Sequence, residues 1–324
     1  MKRMFFKSAV VVLALVMIFS MAAFGENDAP VRVSALMGPT GMGLVKLMKD
    51  SEGGNEYEFS LAASADLITP KFIKGELDVA CVPANLASVL YNKTGGGVTV
   101  LAVNTLGVLY IVERGEAIKS IEDLRGKTVY ASGKGATPEF ALNYLLAENG
   151  LDPAKDLNLV YKAEHAECLT ALIQDENAVA MLPQPFVTVA QTKANDIRIA
   201  LDMTEEWNKL QEGKENPSGM LTGVVVARSE FVKNNPEKVE KLLSDYEASV
   251  NFVNGNVEEG AKLIGEYGIV AEAVAKVAIP YCKIVCIRAE EMKTLLSGYL
   301  NVLAGQNPTA IGGKVPNDDF YYGV

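Results

Sequence analysis

One histidine among 324 residues leaves little for metal or acid–base chemistry to work with. It is His165, in KAEHAECLTAL, where on a helix it would share a face with Cys168 as half of a metal-ligand set. No second histidine completes that set, so neither a metal nor a cofactor is expected. A helix-start histidine beside Glu164 and Glu167 is the ordinary reading. No Ser-His-Asp pattern assembles, and no residue is assigned a catalytic role. Cysteine is also scarce: four, at 81, 168, 282 and 286, make no disulfide framework for a chain of this length. Cys81, in DVACVPAN, reads as a small buried hydrophobe. On a strand Cys282 and Cys286 would stand about 13 Å apart, too far to bridge, so free thiols are expected. Basic residues number 30 against 40 acidic ones. That deficit excludes nucleic acid, whose binding requires a basic face that displaces counterions.

Only one long apolar run exists, Ala9 to Ile18, behind Lys2, Arg3 and Lys7 and ahead of the small residues Ala23 and Gly25. It falls short of the roughly 20 residues of a membrane span. Residues 1–25 are therefore expected to be an export signal cleaved near Gly25. No cysteine near the cleavage site offers a lipid anchor. A monomer in the periplasm is expected.

What is present begins with ALMGPTGMGLVKLMKD, residues 35–50. Its glycines suggest a phosphate loop, but the required Lys and Ser/Thr positions hold Leu44 and Val45. The dinucleotide fingerprint fails at Lys46. A strand running through a Gly-rich turn into a helix remains, and such a helix start presents free N–H groups to a ligand.

Short apolar runs alternate with helical patterns, the α/β signature. Strands are expected at 31–36, 57–62, 78–82, 99–104, 108–113, 128–131, 157–161, 178–182, 197–201 and 222–228. TPEFALNYLLAENGL predicts a helix with Thr137 as N-cap, Pro138 in its first turn and Gly150 past its end. Asn235, Pro236 and Gly255 repeat that grammar.

FIKGELDVACVPANLASV (72–89) aligns without gaps on LIQDENAVAMLPQPFVTV (172–189), with Pro83 and Pro183 in register. Two lobes built alike should bind a ligand in the crevice between them. The first lobe is expected at 26–107 and the second at 108–221, with 222–324 returning to the first. VLYIVERG (108–115) and GVVVARSE (223–230) are expected as paired strands at the hinge.

Four stretches in order carry a resemblance: GELDVACVPANLAS (75–88), LRGKTVYASGKGATPEFALNYLLAENGL (124–151), AVAMLPQPFV (178–187) and VVVARSEFVKNNPEKV (224–239). The chain resembles the type II periplasmic solute-binding proteins of ABC importers, in the sulfonate, nitrate, taurine and thiamine-precursor-like branch. The resemblance implies an α/β, two-lobed periplasmic-binding-protein type II fold, each lobe a mixed sheet flanked by helices, with a two-strand hinge. It also implies a small-molecule ligand enclosed in the cleft and an ABC permease as partner.

The cleft loops are expected to present Met37, Gly38, Pro39, Thr40 and Gly41, then Ser64, Ala65 and Asn85 from the first lobe. Ser132, Gly133, Lys134, Gly135, Thr137 and Gln184 would come from the second. Helix starts and hydroxyls favour a polar or anionic organic ligand. Each side chain also has a plainer reading: Lys134 as a solvated turn lysine, Thr137 as a cap, Asn85 and Gln184 as turn polarity. Trp207 and Tyr281 offer ring faces, or packing. An exported enzyme on the same fold and a ligand sensor for a membrane receptor are the alternatives.

Overall fold

The computed structural model describes residues 29–214 and 217–324, so the expected export signal lies outside the described residues. The first unit runs β1 (Val31–Leu36), α1 (Pro39–Met42), α2 (Val45–Asp50), β2 (Tyr57–Ala62), α3 (Ala65–Ile73), β3 (Val79–Pro83), α4 (Ala84–Thr94) and β4 (Val98–Leu106). The second runs β5 (Leu109–Arg114), β6 (Thr128–Ala131), α5 (Thr137–Glu148), β7 (Asn158–Tyr161), α6 (His165–Gln174), β8 (Val179–Pro183), α7 (Phe186–Lys193), β9 (Ile197–Asp202) and α8 (Met203–Gln211). The chain then continues through β10 (Leu221–Arg228), α9 (Ser229–Asn234), α10 (Pro236–Gly255), α11 (Val257–Glu266), α12 (Glu272–Ala278), β11 (Ile284–Ile287) and α13 (Ala289–Gln306).

Two mixed sheets result, ordered β11-β4-β10-β3-β1-β2 and β9-β5-β8-β6-β7. Strand for strand they match, apart from the added β11. The echo in the sequence falls on β3 and β8, each between a helix end and a new helix. Central strands such as β4 are apolar and buried along almost their whole length, as a sheet covered on both faces requires. Edge strand β2 is buried mainly at Tyr57.

The two runs expected to pair at the hinge do not pair. Residues 109–114 lie between β8 and β9 in the second sheet, and β10 lies between β3 and β4 in the first. They occupy equivalent places: Leu109 is opposite Pro183, and Gly223 is opposite Pro83. Their likeness reflects equivalent places in the two sheets, not contact. The strands that meet at the crossing are β4 and β10, where Leu106 is the partner of Leu221. Gly107 makes the outward crossing under tight confinement, since a Cβ there would sit 2.2 Å from Thr204 Oγ1 and 2.5 Å from Met220 Cε. The short strand β11, absent from the sequence reading, pairs with β4.

Helix α13 joins the units, packing on α5 of the second and on α4, β4 and β10 of the first. Its Tyr299 stacks near Trp207 of α8 with centroids 5.5 Å apart, and Trp207 lies 4.4 Å from Tyr144 of α5. Trp207 is fully buried and donates through Nε1 to the Ser218 carbonyl at 3.1 Å, so it is a packing anchor. All four cysteines are free.

The sheet edge away from the helix starts is fixed by charge. Buried Asp78 accepts from Arg32 at 2.6 and 2.8 Å and from Arg228 at 2.9 Å, tying β3 to β1 and β10. Burial alone would raise the Asp78 carboxyl, but the donors of Arg32 and Arg228 more than offset it and hold its pKa below the ordinary value. Its stabilising contribution is therefore complete at neutral pH and is lost as pH falls below about 4, through the depressed folded pKa. Asp78→Asn should cost about 3 kcal/mol by urea unfolding at pH 7, the low end for removing one partner of a buried pair, because both guanidiniums are partly exposed. The same substitution should cost much less near pH 3.

Candidate functional site

Strands β1, β2 and β3 run parallel, as do β6, β7 and β8, so the helices that follow them start along one edge of each sheet. These two edges face each other. Asn85, second residue of α4, and Thr137, first residue of α5, meet where the Thr137 hydroxyl donates to Asn85 Oδ1 at 3.3 Å. Both side chains are buried. Asn85 Nδ2 donates in turn to the Ala310 carbonyl at 3.1 Å. Thr137 is thus not the N-cap. Ala136 holds that place and Pro138 is the second helical residue, so the threonine hydroxyl is directed across the seam rather than onto its own helix. Neither helix start is closed by a capping side chain. Their first N–H groups have no intrahelical acceptor, and both positive dipole ends point at the same place.

In the first unit, Gly38, Pro39, Thr40 and Gly41 form the turn into α1. A side chain at Gly41 would put its Cβ 2.6 Å from the Leu36 carbonyl oxygen, so the turn rests on the end of β1 with no room for one. Thr40 is buried and its carbonyl accepts from Asn104 Nδ2 at 3.4 Å. Asn104, fully buried on β4, was not singled out by the sequence, where it reads as one polar residue within an apolar run. Met37 is exposed, whereas Met42 is buried beneath the turn. Ser64 precedes α3 and is exposed, with Ala65 half-buried behind it.

In the second unit, Ser132 follows β6, the strand between β7 and β8. Its hydroxyl is bonded to His165 Nδ1, at the start of α6, and the imidazole packs on Phe186, at the start of α7, with centroids 5.2 Å apart. Burial lowers the His165 pKa to about 4, and the positive end of α6 acts in the same direction. The ring is neutral at pH 7, and Nε2 bonds none of the described residues. The sequence reads this residue as an ordinary helix-start histidine, because its partner Ser132 lies far upstream in the chain. A serine on an imidazole is also the arrangement of a nucleophile and its base, but a ring with a pKa of about 4 is a weak base at neutral pH.

Gly133, Lys134 and Gly135 complete the loop. Lys134 is exposed, with its ammonium 5.9 Å from the Tyr161 ring centre. The Gly135 N–H is taken by Glu139 at 2.6 Å. Gln184 is buried, and its carboxamide oxygen accepts from the Thr188 hydroxyl at 2.9 Å, closing the start of α7. Tyr281 is half-exposed and does not flank these groups by any described contact beyond its carbonyl, which accepts from Tyr110 at 3.4 Å.

No described arginine bonds to the groups of this seam. Each of the six described arginines is paired with a carboxylate: Arg32 and Arg228 with Asp78, Arg114 with Asp196, Arg125 with Asp156, Arg198 with Glu113 and Arg288 with Glu240. Apart from the exposed Lys134, the side chains brought together here are neutral. A groove of about 420 Å³ on the outer face, between α2 and α10, is lined by Lys46, Asp50, Tyr57, Lys241, Asp245 and Phe252. Its charges already satisfy one another, Lys46 with Asp50 and Lys241 with Asp245.

The ABC-transporter phosphonate periplasmic substrate-binding family matches residues 44–276. No curated protein matches the chain in sequence. Among solved structures, an ABC transporter from Parabacteroides distasonis is 25% identical, with 91% of this chain and 99% of that one covered and a TM-score of 0.75. The periplasmic aliphatic sulphonate binding protein SsuA from Escherichia coli shares the fold at 16% identity, covering 90% and 96%, with a TM-score of 0.70. The periplasmic nitrate-binding protein NrtA from Synechocystis PCC 6803 does so at 15%, covering 76% and 68%, with a TM-score of 0.59. With its family match spanning most of the sequence and its two matched sheets meeting at open helix starts, the chain belongs to the phosphonate-type periplasmic substrate-binding proteins of ABC transporters.

Proposed function

We propose that this substrate-binding component captures a small organic oxyacid between its two units and releases it unchanged to the permease. In this reading the protein is exported, cleaved near Gly25, unlipidated and monomeric. The units divide near residues 107 and 222, and the β4–β5 and α8–β10 crossings form the hinge. One observation carries the ligand class: the uncapped starts of α4 and α5 meet at Asn85 and Thr137, whose side chains bond to each other and to no cationic group. Two like dipole ends repel unless a negative or strongly polar group lies between them. Around that point the ligand would meet Met37, Gly38, Pro39, Thr40, Gly41, Ser64 and Ala65 on one side. On the other it would meet Ser132, Gly133, Lys134, Gly135, Gln184 and the neutral imidazole of His165. A sulfonate or phosphonate presents several acceptor oxygens and suits such N–H and hydroxyl donors.

Native mass spectrometry of freshly purified protein, compared with its denatured mass, tests this reading. A stoichiometric intact oxyacid is the expected result. Conversion of an added ligand to product would replace the reading with an enzyme.

Thr137→Val should weaken ligand binding about tenfold in calorimetry, the value of one hydrogen bond to an ionised group. Asn85→Ala should weaken it further and also lower stability by about 1–3 kcal/mol, because Thr137 and the Ala310 carbonyl lose a partner. Unchanged affinity in both would contradict the assignment of the seam.

His165 is the only imidazole, so its ring resonances can be followed without assignment. They should titrate near 4 rather than near the unperturbed value of about 6.5. The folded pKa is depressed, so the unfolded chain binds the extra proton, and stability should fall as pH drops from about 6.5 towards 4. His165→Phe should remove that slope.

A further inference from the structure

The Asn85 carboxamide has two unlike ends, and its surroundings fix which of them meets the seam. Nδ2 donates at 3.1 Å to the Ala310 carbonyl, which can only accept. Turned over, the group would set oxygen against oxygen, so Oδ1 is the end that faces Thr137. The C-terminal segment is itself held in place. Its Ile311 carbonyl accepts from Ser88 Oγ at 2.8 Å and from Asn92 Nδ2 at 2.9 Å, and Asn92 also reaches the Lys314 carbonyl at 2.7 Å. Asn85, Ser88 and Asn92 follow one another at helical spacing along α4 and form one face. Gly312 lets the segment lie directly on that face, since its φ is +83° and a Cβ there would sit 2.9 Å from Val89 Cα. The segment is a strap that keeps Asn85 from turning over.

Oδ1 has one described partner, the Thr137 hydroxyl, at a long 3.3 Å. Thr137 has a single proton to give. When that proton goes to a ligand oxygen, buried Oδ1 loses its donor, and a buried acceptor left unpaired is costly. Gln184 is fixed the opposite way. Its Oε1 faces the Thr188 N–H at 3.3 Å, a group that can only donate, so the remaining end is the donor Nε2.

We propose that Asn85 is a specificity-determining residue, whose fixed carboxamide oxygen selects oxyacids that bring a hydrogen-bond donor on the acid group or beside it. A singly protonated phosphonate carries that donor on the acid group. A hydroxyl-bearing sulfonate carries it beside the acid group, and a plain alkanesulfonate lacks it. A site built around a hydrogen bond rejects the analogue that cannot make it, because the buried partner is stranded. The inference rests on the oxyacid reading above.

Calorimetry in mildly acidic buffer tests it with two pairs of probes. Methylphosphonate and methanesulfonate are alike in shape, but only the first retains an acid proton. Isethionate and ethanesulfonate differ by one hydroxyl. In at least one pair the donor-bearing member should bind about tenfold more tightly, and the pair that shows it identifies where the donor lies. Asn85→Ala should bring that ratio close to one. Asn85→Asp keeps an acceptor but cannot donate to Ala310 when ionised, so it should be less stable yet retain the preference. Equal affinity within both pairs, or a ratio unchanged by Asn85→Ala, would overturn the proposal and leave oxyacid capture standing. Failure of all four probes to bind would overturn both.

Discussion

Two helices that begin against each other from different sheets are the constraint on which the rest depends. The start of an α-helix carries roughly half a positive charge, and the starts of α4 and α5 meet at the Asn85–Thr137 contact. Such an arrangement is stable only where the surroundings hold both ends in place. The matched sheets supply the direction, since each parallel set delivers its helices to one edge. Helix α13 supplies the restraint, packing on both units behind the seam. The two chain crossings lie side by side at Leu106 and Leu221.

Electrostatics separates the seam from the remainder of the molecule. The chain carries an excess of acid, 40 residues against 30 basic, yet global charge governs solubility and steering rather than a buried contact. The described arginines are spent on framework pairs, two of which hold buried Asp78 at the edge opposite the helix starts. Apart from the exposed Lys134, what lies at the seam is neutral: threonine and serine hydroxyls, carboxamides, N–H groups and an imidazole without charge at pH 7. Neutral donors arranged in advance avoid a buried cation that would itself need compensation.

Much of the framework was legible because it is written as local pattern. β1, β2 and β6 fall on their expected residues, and the other expected strands within about two residues, because most are short runs rich in apolar and β-branched residues. The echo between 72–89 and 172–189 identified equivalent βα units for the same reason. Pairing was not legible. The runs at 109–114 and 221–228 look like partners because they hold equivalent places in the two sheets, and apolar content does not distinguish an equivalent strand from a neighbour. Strand β11, Ile284–Ile287, was not read from the sequence. At the seam, Thr-Pro fits both a cap followed by a first residue and a first residue followed by a second, so the role of Thr137 required coordinates. His165 and Asn104 were undervalued because their partners, Ser132 and Thr40, are distant in the chain.

Backbone amide shifts on ligand addition address the central claim most directly. With the small molecule released from purified protein added back to an isotopically labelled sample, the largest changes should fall on the N–H groups of Asn85, Leu86 and Thr137 and on the His165 ring. Changes confined to the outer groove at Lys46, Tyr57 and Phe252, with the seam amides unmoved, would contradict it.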